Sequence, residues 1–273
     1  MPEPGGTMFS LKNLSSNRLF IFHLLKRSQS FHCPISAGYE WDVQEVFDEM
    51  AVHRERGEEL GMTAFIIKAM GDVLKEEPRL NARLFYSFWG TPRIAMYDHV
   101  SCSTVVARTN SAGEEILIPM VIKNVDQLSI RDIQAMLSEY KNTDLEALEA
   151  HTSKAKPKNL PHFIIKLLHY RFRTDPAFSE KIVGSSFAVS SVIQTDTGLC
   201  SGHAPSNQTS LFPMMLSDRV VVHDGKPAVR KVLGIGLVTD HFIVDGRDVI
   251  RAAGLLESKM RSVAYFRSKL DQA

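Results

Sequence analysis

The sequence predicts a single α/β domain in which a mixed β-sheet packs against helices. Two observations lead to this class. Segments with the alternating, β-branched composition of strands and segments with apolar residues at helical spacing follow one another without the regular rhythm of a doubly wound sheet. No linker-like stretch divides residues 17–273, and a chain of 273 residues is long enough to bury a sizeable core.

The first half of the chain begins with residues 1–16, predicted to be a flexible N-terminal tail rich in Pro, Gly and Ser. Apolar spacing predicts a helix over 17–30 and alternation predicts a strand over 33–43. Two further helices follow. We expect Asp42 to cap the first, which Gly57 ends, and Thr63 to cap the second, which stops at Pro78.

The second half alternates between the two element types. Strands are predicted at 84–89, 93–108, 114–123 and 184–193, in DRVVV and in AVRKVLGIGLVT, the last two joined by a turn at Asp224-Gly225. Helices are predicted from Ser129 onward, in LPHFIIKLLHYRF, and over 247–269, with a polar loop at 151–160. The LPHFIIKLLHYRF helix is apolar on most of its surface, which is typical of a buried or subunit-facing helix; its basic residues leave a membrane-surface role as the alternative.

Bulk composition excludes several functional classes. A formal net charge of +1 with scattered basic residues gives no nucleic-acid footprint. The apolar runs are too short for a membrane span, and we predict a cytoplasmic location because no signal peptide is visible. Three distant cysteines indicate free thiols, and His32-Cys33 or Cys200 with His203 offers too few ligands for a metal, so we expect none.

The strongest chemical signal is His241-Phe242-Ile243-Val244-Asp245-Gly246, where an apolar strand pattern runs directly into a histidine. A positioned neutral imidazole is the commonest general base at neutral pH. A carboxylate follows four residues later and a helix-like segment begins after the glycine. By itself this pattern permits a catalytic base or a structural histidine.

Three motifs in order resemble the catalytic domain of the dihydrolipoamide acyltransferases of 2-oxoacid dehydrogenase complexes. They are HxxxDG at 241–246, AFIIKAMGDVLKEEPRLNARL at 64–84, and ILIPMVIKNVDQLSIRDI at 116–133. The resemblance covers about residues 17–265 and extends more distantly to chloramphenicol acetyltransferase. It implies a chloramphenicol-acetyltransferase-like two-layer sandwich with a mixed sheet, forming trimers, and an acyltransferase catalytic domain over 17–273 without a lipoyl or peripheral subunit-binding domain.

The resemblance also implies a mechanism of acyl transfer between coenzyme A and a lipoyl thiol or another acceptor. His241 would take the proton from the thiol, since a thiol with a pKa near 8.5 is mostly protonated at pH 7. Attack on a thioester creates an oxyanion, and Ser190 in FAVSS takes the position of the family's hydroxyl donor. The resemblance further implies that Ser190 and His241 meet across a subunit boundary.

Asp245 is expected to be structural: the resemblance implies a buried ion pair with an early arginine, for which Arg18 is the first candidate and Arg27 the second. Gly246 is expected to let the chain turn without a Cβ clash, and together with Phe242 to adjoin the substrate channel. Phe242 stands where the family usually has arginine, so substrate identity is less constrained than reaction type.

The expected partners follow from the same resemblance. Coenzyme A or its acyl ester is a substrate, a lipoyl group could arrive in trans on a separate carrier protein, and the chain would form a homotrimer or a multiple of trimers. Two alternatives stay open: a catalytically silent core subunit that assembles with dehydrogenase subunits, and an acyltransferase acting on a small-molecule acceptor.

Overall fold

The structure is a computed structural model that describes residues 32–109, 115–144, 162–191, 193 and 208–272. Its elements are β1 (Pro34–Asp42), α1 (Gln44–Glu55), α2 (Met62–Glu76), β2 (Ala82–Tyr86), β3 (Pro92–Met96), β4 (Cys102–Thr109), β5 (Glu115–Ile122), α3 (Ile130–Asn142), α4 (His162–Thr174), α5 (Pro176–Val183), β6 (Phe187–Val189), β7 (Thr209–His223), β8 (Lys226–Asp240), α6 (Gly246–Met260) and α7 (Val263–Ser268). Short 3₁₀ turns occupy Pro78–Asn81 and Val125–Gln127.

The main sheet has six strands in the order β1-β8-β7-β6-β4-β5. The short strand β6 runs parallel to both of its neighbours, β4 and β7, whereas every other pair is antiparallel. Strands β2 and β3 form a separate two-stranded sheet. The mixed sheet that the sequence predicts is therefore confirmed.

The core lies between the main sheet and helices α2, α3 and α6. Helix α2 is its centre, since Phe65, Ile66 and Met70 are fully buried there. An added Cβ at Gly71 would lie 2.7 Å from Cγ2 of Val125, so this glycine permits the close packing of α2. Leu233, Ile235 and Leu237 of β8 face this core, which makes the architecture a two-layer α/β sandwich.

Several element boundaries differ from the sequence prediction. Thr63 is not a helix cap: α2 begins one residue earlier with Gly61 in the cap position and no side-chain cap bond. The strand predicted over 93–108 is two strands in different sheets, because the chain leaves β3 and crosses to β4. The closing helix is likewise two, since a second helix starts at Val263, capped by the hydroxyl of Ser262.

The helix predicted from Ser129 onward is confirmed, and Ser129 caps α3 in a reciprocal capping box with Asp132. The predicted cap at Asp42 is wrong, because Val43 holds the cap position of α1 and no side chain caps that helix. Asp42 lies one residue earlier, where it accepts a hydrogen bond from the backbone N–H of Gln44 at 3.1 Å. The predicted tail over 1–16, the helix over 17–30 and the loop over 151–160 lie outside the described residues.

The long hairpin β7–β8 positions the candidate site. Its two-residue turn has positive φ at both Asp224 (51°) and Gly225 (75°), the requirement of the tight turn that matches strand twist. Both strands run for 15 residues, and β8 pairs with β1 on its other side. The hairpin therefore delivers the end of β8, and His241 immediately after it, to the opposite end of the sheet from the turn.

Candidate functional site

The main chain of His241 continues the pairing of β8 with the segment before β1. Its backbone N–H donates to the carbonyl oxygen of Cys33 at 2.7 Å. Every residue from Val232 to Asp240 is buried, whereas His241 is exposed. His241 is thus the first exposed residue after the buried end of β8, and its backbone is still hydrogen-bonded to the neighbouring segment.

The imidazole of His241 is held in one orientation by its own turn. Nδ1 lies 2.9 Å from the carbonyl oxygen of Val244. Because a carbonyl only accepts hydrogen bonds, Nδ1 must carry the proton, and Nε2 of the neutral ring carries the lone pair. An imidazole held in one orientation on an exposed residue, with Nε2 as its acceptor, is the arrangement that a general base requires.

The turn after His241 is built on Asp240, which the sequence analysis did not single out. The backbone oxygen of Asp240 accepts from the N–H groups of Ile243 (3.0 Å) and Val244 (3.2 Å). Its side chain is fully buried. The turn therefore rests on both the main chain and the carboxylate of one residue.

The Asp240 carboxylate accepts four hydrogen bonds. Oδ1 accepts from the backbone N–H groups of Cys33 (3.1 Å) and Phe242 (3.0 Å). Oδ2 lies 2.7 Å from Nδ1 of His32 and accepts from Nε2 of Gln208 at 3.0 Å. Both oxygens are fully used, as the burial of a charge demands.

The pKa of Asp240 lies below its ordinary value. Burial alone would raise the pKa, but the hydrogen bonds from His32 and from the N–H groups of Phe242 and Cys33 together outweigh burial and lower it. Asp240 is therefore a carboxylate at neutral pH.

Asp245 has a different setting from the one expected. It is exposed in this chain, not buried, and it is the N-cap of α6: its Oδ1 accepts from the N–H groups of Arg247 (2.9 Å) and Asp248 (3.3 Å). Those backbone bonds lower the pKa of Asp245. Among the described residues the carboxylate turns to the helix end, and its buried ion pair with an early arginine stays a prediction. The proposed partner Arg18 lies outside the described residues.

Gly246 and Phe242 flank this cap. An added Cβ at Gly246 would meet nothing within 4 Å, and its φ is not positive, so the expected steric need for glycine there is wrong. Phe242 is 57% exposed, which leaves an apolar ring on the surface directly beside His241. An exposed aromatic ring at this position is available to contact a substrate.

Arg79 binds both the turn that follows His241 and the first turn of α6. Its Nη2 donates to the carbonyl oxygen of Ile243 at 2.9 Å, and its Nη1 lies 3.2 Å from Oδ2 of Asp248. Asp248 is also the second member of the α6 capping box. One guanidinium thus connects the turn of His241 to the helix that follows it.

Ser190 follows β6 and is half-buried. Its backbone N–H donates to the carbonyl oxygen of Leu211 at 2.9 Å. The next residue, Ser191, accepts a hydrogen bond from the hydroxyl of Thr63 at 3.1 Å, and this bond ties the segment to the start of α2. The hydroxyl-bearing segment is therefore fixed by two elements of the core.

The sheet register separates Ser190 from His241 within one chain. Val189 aligns with Leu211, and Leu211 aligns with Leu237. Ser190 lies one residue beyond Val189, and His241 lies four residues beyond Leu237 in the opposite direction. The two residues are therefore five residue positions apart along the strand axis. At roughly 3.3 Å per residue this is about 17 Å, too far for both to act on one acyl group.

Neither a cluster of three metal-ligating side chains nor a membrane-spanning helix occurs in the part of the chain that the structure describes. There, no group of three or more His, Cys, Asp or Glu side chains could hold a metal ion. Within the same described ranges, every helix is too short or too polar to pass through a bilayer.

Asp240 and Arg79 are not among the residues predicted from the sequence, where His32 is only half of an incomplete metal motif. One signal for Asp240 was present: an acid at the end of a continuous apolar strand pattern, directly before the histidine. Gln208 carried no such signal, because only the fold brings a residue 32 positions away onto the same carboxylate.

Together, the sheet and the turn after it define an α/β protein with an oriented, exposed histidine at one end of its mixed sheet. The chain belongs to the family of 2-oxoacid dehydrogenase acyltransferases (catalytic domain), whose model matches residues 10–158. A relative is the mitochondrial dihydrolipoyllysine-residue succinyltransferase component of the 2-oxoglutarate dehydrogenase complex of Sus scrofa, 22% identical over 88% of this chain and 46% of its own length. The chain thus spans about half the length of the curated relatives it matches.

Solved structures show the same fold. The dihydrolipoamide acetyltransferase of Azotobacter vinelandii, in which a serine, a histidine and an asparagine were investigated for their role in catalysis, superposes with a TM-score of 0.69 at 19% identity, covering 98% of this chain and 100% of that one. A truncated catalytic core of the 2-oxoacid dehydrogenase multienzyme complex from Thermoplasma acidophilum gives 0.65 at 18% identity, covering 94% and 100%. The predicted family and fold are confirmed.

Proposed function

We propose that this chain transfers an acyl group between coenzyme A and a thiol acceptor, with a protein-bound lipoyl group as the first candidate acceptor. The observation that carries the proposal is the imidazole of the exposed residue His241, whose Nδ1 donates to the carbonyl oxygen of Val244 and so leaves Nε2 as the acceptor. Family membership supplies the reaction class, since the relatives are named as succinyltransferases and acetyltransferases of lipoyl groups.

The reaction follows from these groups. Nε2 of His241 removes the thiol proton, and the thiolate forms a bond to the carbonyl carbon of the acyl thioester. The resulting oxyanion accepts a hydrogen bond from the hydroxyl of Ser190 in a second copy of the chain. The carbon–sulfur bond to the original carrier then breaks, and the departing thiolate takes the proton back from the imidazolium.

The test measures acyl transfer from acetyl-CoA and succinyl-CoA to dihydrolipoamide. We expect His241→Ala to lower kcat by about 10²- to 10⁴-fold, the range for loss of a general base. His223→Ala is the matched control, because His223 is a half-exposed histidine at the hairpin end of the same sheet. Wild-type kcat in His241→Ala would contradict the assignment.

The exposed ring of Phe242 favours a second candidate, an acyltransferase with a small apolar acceptor. The ring replaces the arginine usual in the resembled family and lies directly beside His241. Release of coenzyme A in the presence of amines or alcohols, and none with dihydrolipoamide, would establish this alternative. Association with dehydrogenase subunits without any turnover would instead establish a silent core subunit.

The assembly belongs to the same proposal. A trimer, or a multiple of trimers, would place His241 of one copy near Ser190 of the next and so overcome their separation within one chain. Partners would be a lipoyl-carrier protein or dehydrogenase subunits. We retain the cytoplasm as the proposed location; the name of the porcine relative places that protein in mitochondria.

A further inference from the structure

We propose that Asp240 is a positioning residue for His241, and that its buried carboxylate holds the imidazole in the Nδ1–H form with Nε2 free. This inference rests on the proposed role of His241 as the base. Asp240 touches neither ring nitrogen and acts through the turn.

The first support is that the two carboxylate oxygens of Asp240 bind different partners. Oδ1 binds the N–H of Phe242, inside the turn, and the N–H of Cys33, whose carbonyl in turn accepts from His241. This one oxygen therefore holds both the residue that follows His241 and the neighbouring segment to which the backbone of His241 is bonded. Any rotation of the Asp240 side chain would release both anchors together.

The second support is the connection of Oδ2 to distant parts of the fold. Oδ2 contacts His32 and Gln208, and the amide oxygen of Gln208 accepts from the backbone N–H of Leu84 in β2 at 2.8 Å. His32 is mostly buried, with 15% of its side chain exposed. These contacts fix the position of the carboxylate relative to the sheets, and the turn that is bonded to the carboxylate is held in place with it.

The chemical consequence concerns the tautomer of His241. Only the folded turn places the carbonyl of Val244 2.9 Å from Nδ1. When the turn loosens, the ring can rotate or carry its proton on Nε2, and an imidazole protonated there cannot accept the thiol proton. A displacement of about 1 Å can cost on the order of 100-fold in rate.

Asp240→Asn is the informative substitution because it preserves shape. One asparagine oxygen can still accept from Cys33 and Phe242, but the new NH₂ group faces the donors of His32 and Gln208. We expect kcat to fall about 10- to 100-fold, with KM for coenzyme A within twofold of wild type. A purely structural role of Asp240 would lower the melting temperature of the variant without lowering kcat selectively at an unchanged KM.

The experiment combines kinetics with ¹⁵N-histidine NMR of the full chain. The His241 signals are assigned from their loss in His241→Ala. We expect the Nδ1–H pattern in wild type and a mixed or reversed pattern in Asp240→Asn. Asp42→Asn is the control, because Asp42 also accepts a backbone N–H and pairs with an arginine, Arg230, but at the other end of β1.

A folded Asp240→Asn with unchanged His241 signals and wild-type kcat would overturn the proposal. If that variant does not fold, His32→Asn and Gln208→Ala replace it: each disturbs one contact of Oδ2, and unchanged His241 signals in both would also overturn it. The NMR result does not depend on turnover. Absence of acyl transfer in wild type would therefore refute the proposed function alone, and leave the positioning role decided by the spectra.

Discussion

At the scale of single residues, two aspartates five positions apart have opposite environments. Asp240 is buried and accepts four hydrogen bonds, whereas Asp245 is exposed and accepts from the backbone of a helix end. The acid that is prominent in the HxxxDG pattern is thus a helix cap, and the acid outside the pattern supports the histidine. Burial, which sequence does not display, separates the two roles.

Acid sensitivity should reveal the buried carboxylate. Because the pKa of Asp240 is lowered by folding, its contribution to stability is complete above the unfolded value of about 3.9 and is lost as pH falls below that value. We expect the wild-type free energy of unfolding to decline below pH 4, and to decline less steeply in Asp240→Asn. Urea denaturation between pH 2.5 and 6 measures this.

The control is Asp218→Asn, which alters an exposed aspartate paired with Lys231 on the hairpin. Its stability should follow the wild-type dependence on pH. The same steep acid decline in Asp240→Asn as in wild type would show that this carboxylate is not a source of the effect.

At the scale of elements, helix ends were predictable where a side chain decides them. Ser129 is followed three residues later by Asp132, and the capping box forms as the pattern indicates. Thr63 fails as a cap because α2 starts earlier, at Met62, and the threonine hydroxyl binds Ser191 instead. A tertiary contact thus overrides a local preference.

The cap of α6 gives a prediction that distinguishes two roles of Asp245. Asparagine caps helices about as well as aspartate, so Asp245→Asn should leave the free energy of unfolding close to the wild-type value, while Asp245→Ala should lower it because the cap is lost. A buried ion pair with Arg18 would instead make loss of the charge in Asp245→Asn strongly destabilising. Urea denaturation of both variants separates the two outcomes.

At the scale of the whole molecule, the register of the mixed sheet places Ser190 and His241 about 17 Å apart along the strands. Strand β6 is parallel to β7 and β8 is antiparallel to β7, so the residues that follow β6 and β8 lie toward opposite ends of the sheet. A site that uses both residues must therefore be completed by a second copy.

Mixed oligomers test this requirement. His241→Ala and Ser190→Ala should each have low activity, and co-expression of the two should restore about a quarter of the wild-type sites in a randomly mixed cyclic trimer. Restoration occurs because some subunit boundaries then combine an intact histidine with an intact serine. No recovery above the sum of the two separate variants would contradict a shared site.

The sequence was sufficient to predict the mixed α/β class, the family and the candidate base, because periodicity and three ordered motifs are local properties of the chain. It also located the Asp224-Gly225 turn and the Ser129 cap, which depend on neighbouring residues.

Three features are visible only in the folded chain: the acid that supports His241, the contacts of Arg79 and Gln208, and the distance that separates Ser190 from His241 in one chain. These outcomes depend on contacts between segments up to 208 residues apart, such as His32 with Asp240. Such contacts arise from strand register and burial, and no local pattern encodes them.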